Sequence, residues 1–227
     1  PEEIRGGFHL HYFLLYEIVL GLEVKEALEL GAGRSTLMIL DALETTGGHL
    51  TTCALNYNGP RFAGLDESPH WTRVDSPSDH FLKTVPDSVA YDFVLHDGSH
   101  ERAIVHRDLQ QIVPHMRQFG MILVHDTQHD KLGKGMAAAV QSSLDGVAHS
   151  CTTLPYGFGL TLIRIEEDLG HGSISLTRAK RGTGAVSKPF TLPEVAATGR
   201  DPSSQTLGEW LRHAPGKILR PEFRFRK

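Results

Sequence analysis

Two short stretches, VLHDGSH at 94–100 and LVHDTQHD at 123–130, place His-Asp at the end of an apolar run and add a histidine three residues beyond the aspartate. Carboxylates and imidazoles in this mixture suit proton transfer near neutral pH and the binding of a divalent cation. Asp97, His100, His125, Asp126 and His129 are the residues that could do this work. Six histidines lie between 96 and 129, more than one site would use. His96 points away from Asp97 if the residues before it alternate as a strand, which makes it a packing or supporting residue. His106 and His115 fall on a helical pattern and suit structural or solvent roles.

The flanking sequence contains the elements that would position these groups. Phe8, Tyr12, Leu15, Val19 and Leu22 recur at helical spacing. Residues 24–30 read as a short buried strand, Gly31-Ala32-Gly33 as a tight turn, and the stretch from Ser35 as a helix with Leu37, Leu40 and Leu43 on one side. Further strands are expected at 49–55, 71–75, 91–97 and 120–126. Helices are expected over 76–85, 102–116 and 135–146, the first opening with Ser76 as N-cap and Pro77 behind it. In the second, Ile104, Leu109, Ile112 and Val113 face inward until Pro114 breaks it. Residues 148–154 and 159–165 read as an antiparallel pair. Strands alternating with helices, then a hairpin, predict an α/β fold: a Rossmann-like doubly wound sheet, mostly parallel, with a C-terminal antiparallel hairpin.

In such sheets ligands bind beyond the carboxyl ends of the strands. This puts Gly31, Gly33, Asn56, Asp75, Asp97 and Asp126 on one rim. If 91–97 and 120–126 are neighbouring strands, the two His-Asp turns meet. The glycine turn brings backbone close to a ligand and opens onto free helix N–H groups. A dinucleotide fingerprint would carry a third glycine where Thr36 stands, and a phosphate loop would carry Gly-Lys-Ser/Thr. Neither is present, so phosphate binding is disfavoured.

Bulk properties set the outer bounds. At 227 residues and 40% hydrophobic, the chain can bury a sizeable core. No apolar run approaches the ~18–20 residues that span a bilayer. The most apolar stretch, 8–22, is interrupted by His9, His11 and Glu17 and does not resemble a signal peptide. Cys53 and Cys151 form no disulfide framework; both are expected to be buried, in a reducing, cytoplasmic setting. Residues 1–170 hold 12 Lys and Arg against 23 Asp and Glu, whereas residues 171–227 hold 11 against 4. The expected organisation is thus one domain over 1–170, opened by an N-terminal helix over 1–22, with an irregular basic extension over 171–227. Only 209–220 has helical character there. The extension suits packing on the body or on a second copy in a homo-oligomer; nucleic acid is disfavoured, because no binding module is recognisable.

The block VLHDGSHERAIVHRDLQQIVPHMRQFGMILVHDTQHD resembles the class I S-adenosylmethionine-dependent methyltransferases. Within them it is most similar to metal-dependent small-molecule O-methyltransferases, including the macrolide-sugar and cephalosporin-hydroxylase-like groups. The resemblance rests on Asp97-Gly98-Ser99-His100, on Gly120 through Asp126, and on the turn Glu29…Gly31…Gly33. It implies that Glu29, Gly31, Gly33 and Ser35 line the methionine end of S-adenosyl-L-methionine. Asn56 would take the ribose position, where the family usually has an acid, and Asp75 and Ser76 the adenine side, with Asp97 also at the cofactor. Asp97 and Asp126 would hold a divalent metal, with His125 as a third ligand where an acid is common. Magnesium prefers oxygen ligands, so an Asp-His-Asp set also admits Mn²⁺, Zn²⁺ or Fe²⁺; alternatively His125 turns away and leaves Mg²⁺ to the aspartates and water. His100 is the first choice of general base and His129 the second.

The activity this implies is methyl transfer to a hydroxyl of a small molecule: a sugar, a natural product from a biosynthetic pathway or a phenol. Asp130, Lys131 and Lys134 would lie in a loop over that acceptor. Two other readings stay open: a hydrolase or oxygenase built on His100, His125 and Asp126, and a non-catalytic cofactor-binding scaffold.

Overall fold

The computed structural model describes residues 7–55, 62 and 64–174. The chain divides into two units, Pro1–Arg178 and Ala179–Lys227, and the fold below is that of the first. Asn56 and the helical stretch expected at 209–220 lie outside the described residues.

A 3-10 turn over Gly7–His11 leads into α1 (Tyr12–Gly21). The elements then alternate: β1 (Glu26–Leu30), α2 (Arg34–Thr46), β2 (His49–Ala54), β3 (Trp71–Asp75), α3 (Ser78–Leu82), β4 (Tyr91–His96), α4 (Arg102–Ile112), β5 (Met116–His125), α5 (Gly133–Ser143), β6 (His149–Leu154) and β7 (Leu160–Ile165). The seven strands form one sheet in the order β3-β2-β1-β4-β5-β7-β6. The first five are parallel, and β7 runs antiparallel to both β5 and β6. This is the Rossmann-like sheet with a terminal antiparallel hairpin that the sequence predicts.

Strand alternation sorts the core into two layers. Leu28, Leu30, Val94, Ile122, Val124 and Ile163 pack with Val105, Leu109 and Ile112 of α4 and Met136, Ala139 and Val140 of α5. Ala27, Leu50, Phe93, Leu95, Leu123 and Leu160 face the other way, onto Leu15 and Val19 of α1 and Ile39, Leu40 and Leu43 of α2. Burying one such side chain stabilises by roughly 1.5–3 kcal/mol, so both layers are needed. At the amino edge of the sheet Asp92 ties strands together: its buried carboxylate accepts the Lys25 and Glu26 N–H groups at 2.7 and 3.0 Å and Arg117 Nη1 at 2.7 Å.

Several local expectations are corrected. β5 begins four residues earlier than its apolar run, because Met116–Gly120 pair through a bulge, marked by a register shift opposite Tyr91 and Phe93 and by Phe119 at φ 68°. Ser76 does not cap α3, since its hydroxyl donates to Pro77 O at 3.1 Å and the helix starts at Ser78. In α4 it is Val105, Asp108, Leu109 and Ile112 that are buried, and Ile104 is only partly so. Cys53 is buried, but Cys151 is exposed because β6 is an edge strand. Among the described residues no helix is long and apolar enough to cross a membrane.

Candidate active site

The parallel register brings the carboxyl ends of β1, β4 and β5 side by side. Asp97 N–H donates to Leu30 O at 2.8 Å, and Gly31 N–H donates to Cys53 O at 2.9 Å. The turns after β1 and β4 touch: a side chain on Gly31 would put its Cβ 2.4 Å from Asp97 O, and Gly31 sits at φ 95°. Both the backbone angle and the contact demand glycine there. At Gly33 an added Cβ would meet only Ser35 Oγ, at 3.7 Å, so the turn keeps an open approach at the N-terminus of α2.

Glu29 supports this turn from below. It is fully buried, and its carboxylate accepts hydrogen bonds from Ser35 Oγ at 2.6 Å, Thr36 Oγ1 at 2.7 Å and Thr52 Oγ1 at 3.0 Å. Trp71 Nε1 donates in turn to Thr52 Oγ1 at 2.9 Å. Burial pushes the Glu29 carboxyl up to about 7, against the pull of the three hydroxyls. Glu29 and Ser35 were expected to line the cofactor; the structure places both beneath the turn, occupied with each other. Thr36 accounts for the missing third glycine, since its hydroxyl also accepts the Gly33 N–H at 3.1 Å.

The two His-Asp turns meet at the next strand ends. His100 Nε2 lies 2.5 Å from Asp126 Oδ2. His125 Nδ1 lies 3.1 Å from Asp97 Oδ1 and 3.4 Å from Asp126 Oδ2. Asp126 holds a left-handed backbone at φ 60°, uncommon outside glycine and enriched at functional positions. Burial acts to raise the Asp126 carboxyl, but the bonds from His100 and His125 outweigh it and hold it well below the usual range.

Hydrogen-bond partners assign each imidazole a different role. His100 donates Nε2–H to Asp126, which leaves Nδ1 as its free basic nitrogen; the same bond raises its pKa. His125 donates Nε2–H to Gly157 O at 2.9 Å. Its Nδ1 therefore faces two carboxylates, which outweigh burial and push the ring up to about 9. His129 accepts the Lys131 N–H on Nδ1 at 3.2 Å, so Nε2 carries its proton. In that tautomer His129 presents a donor at Nε2, with Phe158 beside it, ring centres 5.0 Å apart.

A divalent cation would find a donor set here. One ligand atom each of Asp97, His100 and Asp126 lie within 4.8 Å of one another, a spacing that one ion spans. His125, expected as third ligand, is outside that group, held between Asp97 and Gly157. In the His100, His125 and Asp126 triad of the metalloenzyme reading both imidazoles reach Asp126 Oδ2, at 2.5 and 3.4 Å, but the group within 4.8 Å has Asp97 in place of His125. Asp75 ends β3, two strands away from β1, half-exposed and paired with Arg73 at 3.1 Å; Ser76 follows it.

The wall opposite the carboxylates comes from a segment whose His9, His11 and Tyr12 the sequence allows to reach the pocket but assigns first to core packing. Alternation places His125 on the α1 side of the sheet, where Phe8 meets it edge-on at 4.6 Å and His11 at 5.7 Å. His11 is fully buried and stacks on Tyr156 at 4.9 Å. The only sequence signal was histidine and aromatic residues recurring at 8, 9, 11 and 12 within an apolar helix. His106 and His115 hold structural positions, His106 on Ser143 Oγ at 2.9 Å and His115 on Val89 O at 3.1 Å.

Comparison with known proteins agrees with this frame. Residues 28–127, from β1 to just past Asp126, match a family model described as a methyltransferase domain. Among solved structures, an SAH-bound Podospora anserina methyltransferase matches with TM-score 0.59 and 16% identity over 74% of this chain and 82% of its own. The Streptomyces achromogenes O-methyltransferase TomG, involved in tomaymycin synthesis and solved with SAM, gives 0.56 and 17% over 70% and 80%. A Bacillus cereus O-methyltransferase in complex with SAH gives 0.54 and 12% over 69% and 81%. No curated protein matches the chain in sequence.

Proposed function

We propose that the class I S-adenosylmethionine-dependent methyltransferase domain of this chain methylates a hydroxyl oxygen of a small-molecule acceptor. The observation that carries the reading is the meeting of Asp97, His100 and Asp126 beside the open Gly31–Gly33 turn. S-adenosylmethionine supplies an electrophilic methyl group and departs as its thioether. What the protein must add is a deprotonated, correctly placed oxygen. His100 takes the hydroxyl proton on Nδ1, while Asp126, bonded at Nε2, fixes the ring and stabilises the cation that forms. Asp97 and Asp126 carry the negative charge that draws the hydroxyl in.

The donor set also fits a divalent cation. Two carboxylates and an imidazole suit Mn²⁺, Fe²⁺ or Zn²⁺ better than Mg²⁺. Such an ion, held by Asp97, His100 and Asp126, would lower the pKa of an acceptor hydroxyl. With such an ion bound, His100 would serve as a ligand, and the acidified hydroxyl would give its proton to solvent water. Isothermal titration of S-adenosylmethionine into chelator-treated protein, repeated with each ion, tests the reading. Binding near micromolar affinity supports the methyltransferase assignment, and heat from Mn²⁺ that disappears in Asp126→Ala supports the ion. No cofactor binding under any condition would overturn the assignment. Methyl transfer is then assayed against sugar, polyketide and phenol acceptors.

A further inference from the structure

The helical period of α4 puts residues 105, 108, 109 and 112 on one stripe, and that stripe packs on the sheet. Three are Val105, Leu109 and Ile112. The fourth is Asp108, only 1% exposed. A buried carboxylate is seldom the stablest choice at a core position, where an apolar residue of similar size would serve. Its partners show what it links.

Asp108 Oδ2 accepts Ser78 Oγ at 2.7 Å and faces His96 Nε2 at 3.4 Å, and Oδ1 accepts Arg107 Nη2 at 3.1 Å. Ser78 opens α3, two residues beyond Ser76. Ser76 O in turn accepts the thiol of Cys53, in β2, at 3.2 Å. His96 is the last residue of β4, directly before Asp97. One buried carboxylate therefore joins the exit of β4 to the segment leaving β3, which is itself tied to the end of β2. The ends of β2 and β3 lie across β1 from β4 and β5, which lead into Asp97 and Asp126.

We propose that Asp108 is a positioning residue for the adenosine half of the cofactor, setting the Asp75–Ser78 segment against the end of β4. The proposal rests on the cofactor reading of the preceding section. It does not require Asp108 to touch the ligand. The resemblance would put the methionine end on the Gly31 turn, and Asp108 bonds to no residue of that turn.

The experiment compares two ligands, S-adenosylmethionine and 5′-methylthioadenosine, which keeps the adenosine half but lacks the amino acid. Affinities are measured by calorimetry on the full-length chain and on Asp108→Asn, Ser78→Ala and the double variant. Asp108→Asn should weaken both ligands by the same factor, about tenfold, from the loss of a charge-assisted acceptor. Ser78→Ala should weaken both by about threefold, and the double variant no further than Asp108→Asn, because the two groups act through one bond. Ile112→Val, on the same stripe, serves as a control that lowers the Tm without changing either affinity. Should Asp108→Asn and Ser78→Ala behave like that control, the positioning role is overturned. Loss of affinity for S-adenosylmethionine alone would overturn it too, by placing the effect at the methionine end. If the wild-type protein bound neither ligand, it is the cofactor reading that would fall.

Discussion

Replacing Glu29 by glutamine removes a titrating group from beneath the glycine turn while keeping its volume. Burial favours the protonated acid in the folded protein, moving its pKa from 4.5 to about 7. Below pH 4.5 both folded and unfolded chains carry the proton, and the full stabilisation is present. Between pH 4.5 and 7 the unfolded chain has ionised and the folded one has not, so stability falls as pH rises. Above pH 7 both are ionised and the contribution is gone. The largest possible change is about 3 kcal/mol, from 1.36 kcal/mol per pKa unit. The Glu29→Gln protein has no such dependence, because an amide does not titrate in this range.

Urea denaturation followed by circular dichroism gives both stabilities at each pH. Their difference isolates Glu29, since His125 and the other titrating groups are common to both proteins. The wild-type advantage should shrink by about 3 kcal/mol between pH 4.5 and 7.5 and then level off. A difference that stays constant within about 0.5 kcal/mol would mean that Glu29 titrates as an ordinary surface acid. That result would refute the dominance of burial over the three hydroxyls, which pull the Glu29 carboxyl the other way.

Other expectations concern single groups. Asp92→Ala leaves the Lys25 and Glu26 N–H groups and the Arg117 guanidinium without their acceptor and should destabilise by about 3–5 kcal/mol, read as a fall in Tm with little change in cofactor affinity. His100→Ala should lower turnover by about 10²–10⁴-fold, the usual worth of a positioned base. His129→Ala should act chiefly on the acceptor KM, because its Nδ1 is taken by the Lys131 N–H; an equal loss of turnover in both variants would contradict the tautomers assigned here.

Much of the scaffold was legible because βα alternation leaves a strong trace. Period-two apolar runs and the glycine turn located β1, β2, β4 and β7 to within a residue or two. Adjacency of β4 and β5 stood in the sequence only as a condition; the sheet order supplies it and brings Asp97 and Asp126 together. The start of β5 was hidden because Arg117, Gln118 and Phe119 sit on a bulge and carry no alternation. The fate of Glu29 was hidden too, since nothing in ELGAGRST says whether its acid faces a ligand or three hydroxyls from 35, 36 and 52. Thr52 lies on another strand, and its contribution exists only once β1 and β2 have paired.

The histidines show where reading by residue type stops. His100, His125 and His129 look equivalent in the sequence, each near an aspartate and each close to a strand end. Their roles diverge through partners that no local pattern encodes: a carboxylate from the neighbouring turn, the Gly157 carbonyl from the β6–β7 hairpin, and an N–H two residues downstream. An imidazole with Nδ1 free is a base, one with Nδ1 occupied by a donor is itself only a donor, and one facing two carboxylates is a cation or a ligand. Asp108 makes the same case. The inward set expected from the helical period, Ile104, Leu109, Ile112 and Val113, gave it no place, and its carboxylate enters the core only because the packed helix buries the stripe of Val105, Leu109 and Ile112.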